Sequence, residues 1–288
     1  MKISRILLIF ALNSLVPFAA RAACTALPGA DQIWSNTSLR WVLVGEIHGT
    51  NETPSEFGNL VCDALKHGRR VTVGLERPSS EQLPLEKLLT SKDQGTVTHL
   101  LLAEPGWNDG AEDGRASEAM LRLLLTMREL HNHYPNLRVF AFDVPPADTS
   151  QGSRDEAMGK ALLSLGESRP DDLVLILTGN THSFEAPMFG YKPMASYLPA
   201  DHSLSLEVTD QGGEAWINMN GACGVNASGA EAKGGDKPRG IILDPKLAPF
   251  GKVDGILSLG ARTTASPPAT GELGPTLPCR QKYLSEQR

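Results

Sequence analysis

The stretch "WVLVGEIHGTNETPSE", residues 41–56, decides how this chain is read. Its first four residues are apolar without alternation, the pattern of a strand covered on both faces. The run ends in Glu46 and His48, then Gly49 and Thr50. A helix start follows almost at once: Thr53 can cap, Pro54 suits the first helical position, and Glu56 can close a capping box. Phe57, Leu60, Val61, Ala64 and Leu65 then keep helical spacing as far as Gly68. A dry strand feeding a helix is the unit of an α/β sheet. An acid and an imidazole stand where this strand leaves the core.

Three further runs, 71–75, 139–142 and 173–177, are as continuously apolar as the first. Helical spacing between them predicts helices over 116–133 and 153–165, with Met120, Leu123, Leu124, Met127 and Leu130 on the core side of the former. Between Ser80 and Asp113 the pattern gives only short helices and a polar loop. The alternation predicts an α/β fold: a three-layer open sheet of mostly parallel strands with helices on both faces. After Pro199 the character changes. Residues 203–208 and 215–219 read as an antiparallel pair joined at Gly212-Gly213, "GVNASGAEAKGGDKPRG" as a long loop, and 241–243 as a short strand, together an antiparallel C-terminal addition.

The chain divides into three expected parts. Lys2 and Arg5, the apolar run up to Ala20 and the small-x-small site Ala20-Arg21-Ala22 mark residues 1–22 as a secretory signal peptide. Residues 23–262 form a single α/β domain, and 263–288 a Pro/Ser/Thr-rich tail. The expected location is secreted or periplasmic, with no later stretch apolar enough to span a bilayer. In an oxidising compartment Cys24, Cys62, Cys223 and Cys279 allow two disulfides in three pairings. Cys24–Cys62 with Cys223–Cys279 is preferred because each closes a modest loop. A zinc site is the alternative, without CxxC spacing to support it. The net charge of −6 and the lack of a basic stripe argue against nucleic acid. The expected partner is a small-molecule substrate or ligand.

Each apolar run exits into polar chemistry. The first leads to Glu46 and His48, the second to Glu76 and Arg77, the third to Asp143, and the fourth to "TGNTHS" with Asn180 and His182. Open α/β sheets bind ligands outside the carboxyl ends of their strands. If the four strands are parallel, these residues meet on one rim. Each also has a plainer reading. Glu46 could pair with Arg77 or Arg154, His182 could be a hydrogen-bonded core histidine, and Asp143 could start a turn. Arg154 and Asp155 open a helix and could form a surface ion pair of little worth. The coincidence of four strand exits favours the functional reading, with Arg154 anchoring the strand-end carboxylates or an anionic group.

The segments "GEIHGTNE", "GLER", "FAFD", "RDEAMGKAL" and "ILTGNTHSF" occur in that order. They resemble the erythromycin esterase-like and ChaN-like superfamily, which also takes in the TIKI proteases. The resemblance covers about half the mature chain. It implies an active site of His48, Glu76 and His182, with Glu46 as the acid of the first motif and Arg154 as the arginine of the helix motif. The tighter spacing between Glu46 and His48 is closer to the ChaN branch, and the helical part that shapes a macrolide cleft has no counterpart here.

The expected function is therefore hydrolysis of ester or amide bonds. His48, oriented by Glu46 or Glu76, acts as general base on water, and His182 acts as acid or oxyanion stabiliser. Asp143, Arg154 and Asn180 orient the site or the substrate. No G-x-S-x-G elbow is present for serine chemistry. A divalent metal held by His48, His182, Glu46 and Glu76 is a variant, since two imidazoles and a carboxylate suit Zn²⁺ or Mn²⁺. The alternative from another class is a ChaN-like binding protein for haem, iron or a small ligand, without turnover. Tyr191 and Tyr197, after the His182 loop, are then the candidate haem ligands.

Overall fold

A computed structural model describes residues 24–107, 113–188, 190–219 and 222–269. A short helix α1 (Asp31–Trp34) precedes the first strand, β1 (Trp41–Glu46). α2 (Glu52–Lys66) leads to β2 (Arg70–Pro78). Three helices follow, α3 (Gln82–Thr90), α4 (Gln94–Leu102) and α5 (Glu118–His133), then β3 (Arg138–Asp143). α6 (Gln151–Ser168) connects to β4 (Asp172–Gly179). The later strands are β5 (Ser203–Thr209), β6 (Glu214–Met219), β7 (Ala222–Ala227), β8 (Gly240–Ile242) and β9 (Gly255–Ser258).

Seven strands form one sheet in the order β3-β2-β4-β1-β5-β9-β8, parallel except for β8 against β9. The pairing of β1 with β4, Trp41 opposite Val174 through Glu46 opposite Gly179, brings two of the strand exits side by side. The sheet is covered on both faces, which is why its central strands carry no polar alternation. Val42 and Val44 pack with Phe57, Leu60, Leu123 and Met127 of α2 and α5. Trp41 and Leu43 face the other way, onto Met158 and Leu162 of α6. The expected α/β fold and its parallel core are what the structure contains.

Two sequence readings need correction beyond Pro199. β5 does not pair with β6. It lies inside the main sheet, parallel to β1 on one side and β9 on the other. Its alternation "SLSLEVT" resembles a half-wet strand, yet Ser205, Glu207 and Thr209 are all buried. The antiparallel partner of β6 is β7, which takes up the start of the expected long loop. The short strand near Ile241 is present as β8, and β9 adds a partner that four residues could not announce.

Residues 263–269, the beginning of the expected tail, lie across the N-termini of α2 and α5. Asn51 N–H donates to Thr264 O at 3.0 Å, and Ser266 N–H to Gly49 O at 2.8 Å. Ser266 Oγ accepts from Ala119 N–H at 2.9 Å, satisfying one of the free amides at the start of α5. The expected signal peptide lies outside the described residues.

Cys24 and Cys62 form a disulfide that ties the start of the described chain to α2. The expected Cys223–Cys279 pair lies outside what is described, because Cys279 is. The sequence separation across the observed bond is 38 residues. Closing such a loop is worth about 4 kcal/mol by the chain-entropy relation. A Cys62→Ser variant is expected to unfold at a clearly lower denaturant midpoint with a somewhat steeper urea slope, because its unfolded chain is more expanded. Coincident wild-type and variant curves would show that the bond contributes nothing.

Candidate active site

Gly49, three residues beyond the end of β1 and His48's neighbour, sets the local path. Its φ of +78° is in the left-handed region, and an added Cβ would stand 2.2 Å from Trp216 O. Only glycine lets β6 close over this turn, where Trp216 N–H donates to Gly49 O at 2.9 Å. Ile217 and Asn218 of β6 thereby wall an open basin of about 280 Å³ above the strand ends. Its floor and other walls include Glu46, His48, Glu76, Arg115, Arg154, Asn180 and His182.

Glu76 is the hub. Its Oε2 accepts from Gly179 N–H at 2.7 Å and Thr178 Oγ1 at 2.8 Å, both at the end of β4. Its Oε1 accepts from Arg154 Nη2 at 2.8 Å and Arg115 Nη1 at 3.3 Å. The same two arginines grip Asp143: Arg154 through Nε at 3.1 Å and Nη2 at 2.8 Å, Arg115 through Nη1 at 3.1 Å. Burial alone would push the Glu76 carboxyl up. The neighbouring His48 imidazole and the Arg115 guanidinium instead hold it well below the usual carboxylate range.

The two histidines are held in opposite ways. His48 donates from Nδ1 to Glu46 Oε1 at 2.9 Å, and its Nε2 lies 3.6 Å from Glu76 Oε2. Burial disfavours its charged form, but the bonds to Glu46 and Glu76 outweigh that and push His48 up to about 10. Burial also raises Glu46, against the pull of His48. His182 donates from Nδ1 to Asp155 Oδ1 at 2.8 Å, while its Nε2 faces Arg154 Nη1 at 2.9 Å. An arginine can only donate. The Nε2 of His182 must therefore accept, which fixes the neutral Nδ1–H tautomer.

The structure thus brings Glu46, His48, Glu76, Asp143, Arg154, Asn180 and His182 to one rim. Arg77, weighed as a partner for Glu46, is elsewhere: it binds Glu81 through two bonds of 2.9 and 2.6 Å and stacks over Trp107. Asp155 is not a surface residue but fully buried, accepting also from Met194 N–H and Gln151. It falls on the Met158–Leu162–Leu165 stripe of α6, which was the signal for its burial. Arg115 was not anticipated. It comes from a Gly/Asp-rich loop without periodicity, next to Asp113, which it binds at 2.8 Å. Tyr197 lies beneath the Lys192 ammonium and against Gly159, an ordinary packing position.

The expected metal set does not present a common vertex. The Nε2 of His182 is capped by an arginine, and both oxygens of Glu76 are saturated by donors. The Arg154 and Arg115 guanidiniums thus already take up acceptor atoms that a cation would need. Among the described residues no three His, Cys, Asp or Glu side chains converge as a metal site. The arrangement fits no divalent ion, and no step below runs through one.

No protein-family model matches the sequence, and no curated protein matches it. Solved structures do resemble the fold. A point mutant of erythromycin esterase EreC in its open conformation superposes with a TM-score of 0.60 at 12% identity, over 84% of this chain and 95% of that one. A succinoglycan biosynthesis protein gives 0.52 at 10% identity, over 81% and 90%. A Bacillus cereus protein gives 0.50 at 14% identity, over 81% and 91%. At these identities the likeness is one of fold.

Proposed function

We propose that the protein hydrolyses ester or amide bonds, with the Glu46–His48 pair moving the proton. The observation that carries this is the pairing itself. Glu46 fixes the Nδ1 side of His48, so the ring presents Nε2 to the basin at the end of a rigid strand. His48 is partly open to solvent, whereas Glu46 is 2% exposed. In the proposed reaction His48 takes a proton from water as the oxygen attacks the carbonyl, then returns it to the departing alcohol or amine. One N–H on Nη1 of Arg154 and one on Nη2 of Arg115 remain after their bonds to Asp143, Glu76, His182 and Asp113 are counted. These are the donors for the developing oxyanion. His182, its Nε2 already accepting, serves in this scheme to lock Arg154, and Asp155 locks His182.

The disulfide and the lack, among the described residues, of a helix able to cross a membrane are compatible with a secreted or periplasmic protein. Export behind residues 1–22 is part of the proposal.

The test is hydrolysis of a panel of aryl esters and amides across pH, with and without chelator. Only unprotonated His48 can accept a proton, and its pKa is raised. The value of kcat/KM is therefore expected to climb with pH toward about 10, without chelator sensitivity. A profile that falls through that range makes His48 an acid rather than a base. No turnover, with a Soret band on haem titration, would favour a binding protein.

Asp155→Asn tests the supporting chain. Its Oδ1 can still accept from His182 and Met194 while Gln151 turns its amide over, so the fold is retained. Loss of the charge behind His182 loosens the Arg154 fork, and a fall in kcat of roughly tenfold is expected, about 1.4 kcal/mol of transition-state stabilisation. An unchanged kcat would detach Asp155 and His182 from the chemistry.

A further inference from the structure

Glu207 is the strand-end acid that the catalytic scheme leaves unused. It lies at the end of β5, is 1% exposed, and stands in register with Gly45 of β1. Register partners on parallel strands point to the same face. At Gly45 that face is occupied by the turn Asn180–Ser183: an added Cβ would meet Ser183 Oγ at 2.1 Å and Asn180 Cα at 3.0 Å. Glu207 therefore points beneath the turn that carries Asn180 and His182. Its Oε2 accepts from Phe250 N–H at 3.2 Å, while Oε1 is buried without a hydrogen bond of good geometry. Asn180, on the turn that covers Glu207, also lines the basin, and its side chain lies within electrostatic reach of the carboxyl, as does that of Lys233.

We infer that Glu207 holds the Asn180 carboxamide with its NH₂ turned into the fold and its carbonyl oxygen turned into the basin, so that the site selects substrates bearing a hydroxyl or N–H donor beside the scissile carbonyl. Burial raises the Glu207 carboxyl, but the backbone N–H groups of Phe250 and Gly251 that face it favour its charged, accepting form, to which the amide offers nitrogen. The carbonyl oxygen is then the atom left for the ligand. A substrate donor meets an acceptor there, whereas an isostere with a methyl ether leaves that acceptor unpaired. The donor preference rests on the hydrolase reading above; the orientation of Asn180 does not.

Two measurements on the full chain separate these. The first compares p-nitrophenyl glycolate with p-nitrophenyl methoxyacetate, each corrected for uncatalysed hydrolysis. The wild type is expected to favour the glycolate by about tenfold or more in kcat/KM. Glu207→Gln, whose own amide competes for either end of Asn180, is expected to reduce the preference to about twofold, and Asn180→Ala to do the same without disturbing the buried strand. The second follows the Asn180 side-chain amide by ¹⁵N–¹H spectroscopy, assigned by its loss in Asn180→Ala. Slow exchange with water in the wild type and faster exchange in Glu207→Gln support the inference. An amide exchanging at a surface rate in the wild type overturns it whatever the kinetics, and so does an equal preference in wild type and both variants. If neither ester is turned over, the hydrolase reading fails, and the exchange measurement still decides the orientation.

Discussion

His48→Gln is expected to lower kcat/KM for a responsive ester by roughly 10²–10⁴-fold, the usual contribution of a positioned proton-transfer group. Glutamine keeps an N–H within reach of Glu46, so the buried carboxylate is not stranded and the variant should still fold, melting below wild type at neutral pH because the charged imidazole is gone. The alkaline climb in kcat/KM should vanish with the imidazole. Retained activity with retained pH dependence would remove His48 from the mechanism. The same residue links pH to stability with the opposite sign. The His48 pKa is raised in the folded protein, so its contribution to stability is complete below the unfolded value of about 6.5. It is lost as pH rises through about 10. The protein is thus expected to be most active where this pair holds it together least. Urea midpoints of wild type and His48→Gln at pH 6 and pH 10 should converge at the higher pH.

Glu76→Ala is expected to be the most destabilising single change in the site. It strips the charge from between Arg115 and Arg154 and leaves Thr178 Oγ1 and Gly179 N–H without their acceptor. Removing one partner from a buried ionic cluster typically costs about 3–5 kcal/mol. For a chain of this size that corresponds to a fall in Tm of roughly 6–20 °C. Glu76→Gln keeps the shape and one of the two acceptor oxygens, enough for one of the two donor pairs, and should cost less. The Glu76 pKa is depressed, so its contribution is present above the ordinary carboxylate range and lost as pH falls below it. The gap between wild type and Glu76→Gln should therefore narrow in acid. A melting temperature for Glu76→Ala within about 2 °C of wild type would mean the guanidiniums are satisfied without it.

What could be read in the sequence follows from which faces are dry. β1 to β4 are covered by helices on both sides, so their residues had to be apolar in unbroken runs, and the polar residues after them had to be at one end of the sheet. That logic located Glu46, His48, Glu76, Asp143, Asn180 and His182. It failed where burial is polar. Ser205 and Glu207 are buried because the Asn180–Ser183 turn sits on them; Ser205 Oγ donates to Ser183 O at 2.5 Å. Alternation between polar and apolar residues cannot distinguish that environment from water. Arg115 was invisible for a different reason. Its place is set by the close approach of Gly114, at φ +91°, to the backbone of Gly49, a tertiary contact with no local pattern.

The strap formed by residues 263–269 bears on the order in which the protein becomes competent. The acids and imidazoles of the basin are all translated by His182, yet the turn at Gly49 is clasped by Trp216 and then by Ser266. A nascent chain stalled before residue 263 would hold every polar side chain of the basin and the Trp216 bond, yet still lack the second clasp on the Gly49 turn, so the basin should settle only once that strap has been made.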